Sequence, residues 1–415
     1  MMPDLPMLTR DLPGIGGVIR SQPEDFFVQE IPIDVPTGDG EHVVAEIQKV
    51  GLTTIDLVRR IAKSLRVSDR DIGYAGLKDK HALTRQLISI RGVTLDDLQR
   101  IEIPGVNVMW AERHARKIRL GELRGNRFAI RIRQVDALHA VRARAILDVL
   151  VKRGCPNGFG PQRFGLRHDN DRLGLLLLLN RPADLLNQWL GGEPKPTDSD
   201  DARTARQAFS TGDLETAHRL WPGGARAELS AIHALRRGAS SEEAVARVDP
   251  KIKSIWLSAL QSSVFNRVLG ARIDTIDLML DGDLAIDHHT HAVSRVDDLA
   301  SMQELCKAFS VSPTGPLPGS RLDLPEREAG EIEQRVFDEM ELTQAMFREG
   351  EVRLRAERRS LRVRPTDTHV SATVDEHGSS ITLAFTLPAG AFATTLLAEV
   401  MKSSDPAALD TGVES

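Results

Sequence analysis

The chain has 415 residues, 41% of them hydrophobic and 27% charged, with a formal net charge of −5. That length predicts two domains or more, and the apolar content excludes a globally disordered chain. The most apolar run, Leu173 to Leu179, is far too short to cross a bilayer, and the acidic, proline-bearing start is no secretory leader, so a cytoplasmic protein without a membrane partner is expected.

From Gly17 to Ile33 (GVIRSQPEDFFVQEIPI) apolar and polar residues alternate, as they do in HVVAEIQKV from His42 to Val50; both predict half-buried antiparallel strands. Thr53 or Thr54 can cap a helix through IDLVRRIAKSL, with Ile55, Val58, Ile61, Ala62 and Leu65 on one face. Next comes GYAGLKDKHALTRQ, Gly73 to Gln86, where Asp79 lies between Lys78 and Lys80 with a histidine, a threonine and a glutamine close behind. As composition this is a polar turn with solvated charges. A desolvated, oriented carboxylate is also able to act as a nucleophile at a sugar carbon, as in glycosidases.

Strands are expected at LISIRGV, NVMWAE and FAIRIRQV, a short helix around TLDDLQRI, and a longer one from Leu138 to Val151. Between Arg113 and Arg133 eight basic residues face a single acid, Glu122. Such a band on an acidic protein is either the footprint of a phosphate-binding groove or a solvated, salt-bridged face. At Gly154 the texture changes to a glycine-rich turn, GCPNGFGPQRFG, followed by a largely helical stretch to about Leu269. SPTGPLPGS, Ser312 to Ser320, with three prolines and two glycines, is expected to be an irregular connection. Strand character returns at RRSLRVRP and SSITLAFTLP, and the tail from about Ser403 is expected to be disordered. A β-rich start, a helical middle and a β-rich end predict an α+β protein, mainly antiparallel, whose sheet domain (1–153 and 356–415) is interrupted by a largely helical insertion (154–355). The cleft for a bound nucleic acid is expected between them.

The usual cofactor signatures are missing: no GxxxxGK[ST], no GxGxxG after a strand and no GxSxG. His288, His289 and His291 lack the spacing of a zinc hydrolase and read as loop histidines, and two cysteines, Cys155 and Cys306, make no disulfide framework. Neither a metal nor a cofactor is expected.

GYAGLKDKHALTRQ resembles the signature of the TruD family of tRNA pseudouridine synthases. QPEDFFVQE, GNRFAIRIR, GFGPQRFG, WLSALQSSVFNRVL, PTGPLPG and FTLPAGAFAT resemble the same family in the same order, from about Gly17 to Glu399. The resemblance implies that Asp79 is the catalytic carboxylate, acting by attack at C1′, addition to C6 or removal of a ribose proton. It implies that Phe26, Asn126 and Phe392 contact the target nucleotide and that Phe128 packs against the flipped base. Each phenylalanine also suits a core position in its strand-like segment, and Asn126 after a glycine suits a plain turn. Arg20 and Glu30, flanking the PEDF segment, either assist electrostatically or pair as a salt bridge. RNA phosphates are the expected partners of Arg116, Lys117, Arg119, Arg124, Arg127 and Arg163, though Arg163 is equally placed to fasten the insertion to the sheet. The implied substrate is uridine 13 of tRNA, isomerised without a cofactor by a monomer with no protein partner. The alternatives are an RNA-binding module or tRNA-folding chaperone without catalysis, and a hydrolase releasing uracil. One departure is Gly158, where the family has an aromatic residue, which is expected to loosen the junction between the domains.

Overall fold

A computed structural model describes residues 5–349 and 354–403; the expected disordered tail lies outside the described residues, apart from its first residue. The chain forms two compact units. One runs Met7–Asn157 and resumes at Arg362; the other holds Gly158–Leu361 together with the start of the chain, Leu5 and Pro6 among the described residues.

The first unit is built on an eight-stranded sheet. Its strands are β1 (Phe26–Pro32), β2 (His42–Lys49), β3 (Ile72–Tyr74), β4 (Leu83–Arg91), β5 (Val106–His114), β6 (Leu123–Arg133), β7 (Thr366–Asp375) and β8 (Gly378–Pro388). The order is β7-β8-β6-β1-β4-β2-β5, with β3 also on β4, and only β1 and β4 run parallel. β4 serves two neighbours along one edge: its first residues pair with β1 and its last with β3. The chain joining β3 to β4, residues 75–82, carries AGLKDKHA and therefore emerges over the sheet interior. The stretch Gly17–Asp25 does not extend β1 as its alternation suggested. Only Val18 bridges to Arg133, Gly17 and Arg20 have positive φ, and Pro23 opens a 3-10 turn where a ladder would need its missing N–H.

On one sheet face, helix α1 (Thr54–Leu65) closes a core with β2 and β4 from Val43, Ala45, Ile47, Leu57, Ile61 and Ile88. Thr53 caps it, its hydroxyl accepting from Asp56 N while the Asp56 carboxylate reaches back. Thr53 is thus the cap, and Ile55, expected inside, is exposed in favour of Thr54. Thr53→Ala is expected to cost about 1 kcal/mol of unfolding free energy in a denaturant titration. Towards the other end of the sheet Phe128, Ile130, Ile132, Leu383 and Phe385 are buried, and helices α2 (Ala140–Arg153) and α3 (Ala393–Met401) pack on each other.

The second unit is organised by helix Pro250–Ala271, which packs against helix Asn170–Leu178 and buries residues around most of its circumference. Trp189 and Trp256 meet edge to face at 5.0 Å in its helical core. SPTGPLPGS is a correction: Val311–Leu317 is a buried strand in a four-stranded sheet. Its first three residues pair with Leu284–Asp287 and its last four with Glu357–Ser360. Because it changes partner midway, neither ladder asks for a continuous row of N–H groups, and the prolines are accommodated. Gly158 is tightly enclosed, since a Cβ there would lie 2.7 Å from the Leu5 side chain. An aromatic at this position would require Leu5 to move.

Candidate active site

Strand alternation puts one set of residues on the face that α1 covers: Val43, Ala45, Ile47 and Lys49 of β2, and Thr84, Gln86, Ile88 and Ile90 of β4. Register extends that set to Phe26, Val28 and Glu30 of β1 and to Asn126, Phe128 and Ile130 of β6. Polar residues therefore occupy the apolar phase of four strands: Lys49, Thr84 with Gln86, Glu30 and Asn126. Between two apolar blocks, the middle of this face is polar. A charged or amide residue on the buried phase of an alternating strand must be satisfied by partners or by a ligand.

The loop 75–82 supplies the partners. Lys78 Nζ forms an ion pair with Glu30 Oε2 at 2.6 Å, both side chains almost wholly buried. The Lys78 main-chain N–H donates to Thr54 Oγ1, which in turn donates to Gln86 Oε1. Lys49, at the end of β2, donates from Nζ to the carbonyl oxygens of Leu52, Lys78 and Asp79. Gly51 N adds a bond to the Lys80 carbonyl. Although Lys78 adjoins Asp79 in sequence, its side chain turns away to Glu30.

The cation on Asp79 is Arg20, whose Nη2 lies 2.5 Å from Asp79 Oδ2, with 8% and 11% of the two side chains exposed. Asp79 Oδ1 accepts from the His81 main-chain N–H at 3.1 Å, an Asx-type turn that orients the carboxylate. Arg20 is itself clamped, its guanidinium 4.1 Å above the Phe26 ring. Its φ of 62° is a left-handed conformation that costs free energy in a non-glycine residue and persists where the surroundings impose it. An ion pair this secluded contributes little net stability, because desolvation offsets most of the attraction; its effect is to fix an orientation. One carboxylate, held at both oxygens and supported by a stacked arginine, is suited to act as a nucleophile or a base.

Among the expected nucleotide contacts, Phe26 and Phe128 are buried, at 4% and 7% exposure, and Phe128 stacks on Phe385 at 5.2 Å. Phe392 is 40% exposed at the start of α3. Asn126 lies across from Glu30 on one side and Leu387 on the other, and its buried Oδ1 has no hydrogen-bond partner among the described residues. Its neighbour must be glycine, because a Cβ on Gly125 would fall 2.2 Å from the Leu387 oxygen. One cross-sheet row reads Lys49, Thr84, Val28, Phe128, Phe385, with the short side chains of Thr84 and Val28 between the lysine and the aromatic.

The basic run is more neutralised than its sequence suggested. Arg116 bridges Asp34 and Glu122, Arg133 is buried on Asp25, and Arg131 reaches Asp375. Lys117 donates to the Arg70 carbonyl and Arg124 to that of Ile33. Arg119, Arg124 and Arg127 are exposed, and Arg127 lies on the sheet face opposite Asn126 and Phe128. In the second unit Arg163 donates to Ser258 and Ser262 and stands over Phe159. Among the described residues no group of three His, Cys, Asp or Glu side chains is arranged to hold a metal ion, and His288 hydrogen-bonds Ser312. No described helix is long and apolar enough to cross a membrane.

The sequence profile of tRNA pseudouridine synthase D (TruD) matches residues 4–400. The tRNA pseudouridine synthase D of Geobacter metallireducens is 41% identical over 404 residues, covering 96% of this chain and 98% of that protein. That of Geotalea daltonii is 41% identical over 400 residues, covering 96% of this chain and 100% of its own length. A crystal structure of a candidate tRNA pseudouridine synthase D (TruD) from Methanosarcina mazei superposes with a TM-score of 0.84 at 26% identity, covering 96% of both chains.

Proposed function

The chain belongs to the TruD family of tRNA pseudouridine synthases, and on that premise we propose that it isomerises uridine 13 of tRNA with Asp79 as the catalytic carboxylate. The reaction class is an isomerisation of uridine to pseudouridine. The N1–C1′ bond breaks, the uracil turns in place, and C5 bonds to C1′. The hydrogen on C5 leaves as a proton while N1 regains one. Atoms and electrons balance within the nucleotide, so the net reaction consumes no co-substrate.

The observation that carries the reading is the Arg20–Asp79–His81 arrangement, a carboxylate held by a cation and a main-chain N–H beside a polar sheet centre. A uridine must leave its stack to reach such a group, and aromatic faces offset part of that cost. The base is proposed to lie over Thr84 and Val28, with the Asn126 amide on its Watson–Crick edge. An unpartnered Asn126 Oδ1 supports this, since it can accept from uracil N3–H. Exposed Arg119 is the leading candidate for a phosphate contact; Arg116, Lys117, Arg124 and Arg163 are held by protein partners, and Arg127 lies on the opposite sheet face.

Phe392 offers a clean check on nucleotide contact because truncation there leaves little core behind. Phe392→Ala is expected to keep the wild-type melting temperature while raising KM for tRNA about tenfold, within the 1–3 kcal/mol typical of base stacking. An unchanged KM would remove it from the site. The position is tested with tRNA transcripts in which uridine 13 alone is replaced by cytidine. Loss of all pseudouridine formation on that change supports the assignment, and undiminished formation contradicts it.

A further inference from the structure

Lys49 is a lysine with no exposed surface, at the end of a strand whose other buried-phase residues are Val43, Ala45 and Ile47. Its Nζ donates to three main-chain carbonyls, Leu52 at 2.6 Å, Asp79 at 2.8 Å and Lys78 at 3.4 Å, and among the described residues no carboxylate forms an ion pair with it. Three N–H donors meet three acceptors, which satisfies an ammonium completely. The three carbonyls come from the approach to the α1 cap and from the loop that carries the carboxylate. We infer that Lys49 is the positioning residue of the reaction, fixing where Asp79 stands by gripping the main chain of Lys78 and Asp79 from beneath. This rests on Asp79 being the catalytic carboxylate.

The protonated form is the one that does this. A neutral amine has two N–H donors and a lone pair, so one carbonyl would lose its partner and face repulsion. Burial pushes Lys49 down to about 8, helped by Lys78 and opposed by the charges of Asp79 and Asp56. The ammonium is therefore intact well below pH 8 and is lost as pH rises through that value. Positioning acts on turnover more than on tRNA capture, because the proposed phosphate-contact residues lie outside this loop. A displacement of about 1 Å at a reacting group can cost about 10²-fold in rate.

The test is steady-state tritium release from tRNA labelled at C5 of uridine, using the full chain from about pH 6.5 to about pH 9.5. Wild-type kcat is expected to halve near pH 8, with KM nearly constant. Lys49→Gln keeps two N–H donors at every pH; its kcat is expected to fall by about 10-fold or more and to be flat over the range. A wild-type kcat that stays flat, or a limb that survives unchanged in Lys49→Gln, overturns the inference. If Lys49→Gln does not fold, lysine 13Cε titration of folded protein decides. Lys402→Arg is the background, since burial also lowers Lys402. One lysine with a midpoint near 8 supports the inference, and every lysine above about 9.5 overturns it. Full release by Asp79→Asn, assayed alongside, would remove the premise and the inference with it.

Discussion

Asp79→Asn protein is expected to bind tRNA as tightly as the wild type and to turn it over at least about 10³-fold more slowly. The substitution keeps the side chain's size and leaves Oδ1 able to accept from the His81 N–H. It removes the charge that Arg20 holds, and with it both nucleophile and base. Arg20 keeps its contact with Phe26 but loses its buried partner, so a drop in stability is also expected and rates are compared on protein shown to be folded. Single-turnover rates with saturating enzyme, together with filter-binding affinities, separate the two. Loss of binding in parallel with rate would mean that Asp79 holds the RNA instead of acting on it.

Lys78→Met is expected to destabilise the first unit by about 3–5 kcal/mol, because it leaves the Glu30 carboxylate buried and unpaired. Glu30 and Lys78 side chains are only 1% and 6% exposed, so water cannot replace the lost cation. For a unit of roughly 200 residues that unfolds by itself, the melting temperature falls by roughly 10 °C. The double variant Lys78→Met with Glu30→Met is expected to recover most of the stability, since an apolar pair avoids the desolvation cost altogether. It should not recover activity, because the loop then loses the ion pair that ties it to β1. Recovery of both would mean that the pair serves the fold alone. Thermal melts and tritium release on the same preparations read both quantities.

Much of this site was legible in the order of residues. The strand His42–Lys49 follows from alternation, the expected LISIRGV and FAIRIRQV overlap the later parts of Leu83–Arg91 and Leu123–Arg133, and Thr53 is one of the two caps expected for its helix. Asp79 stood out only through the resemblance of GYAGLKDKHALTRQ to a family signature, since as composition the run is a polar turn. What it did not mark was the cation: Arg20 lies fifty-nine positions earlier, in a stretch whose irregular backbone has no period to read. Lys49 and Glu30 carried a readable signal, each standing on the apolar phase of its strand, but an alternation read only for strand identity passes over the exceptions. The partners of the basic run are hidden in a related way. Its acids, Asp25, Asp34 and Asp375, arrive through sheet pairing and loop return, which local charge counting cannot see. The strand within SPTGPLPGS is masked by its prolines, which it accommodates because it changes partners halfway.

The central claim, isomerisation of a tRNA uridine by this chain, is tested most directly by the C5 hydrogen. Forming the C5–C1′ bond expels it, so wild-type protein incubated with tRNA transcript tritiated at C5 of uridine is expected to release tritium to water, one per pseudouridine found in the digested RNA. Intact binding without release, or free uracil in place of pseudouridine, would contradict it.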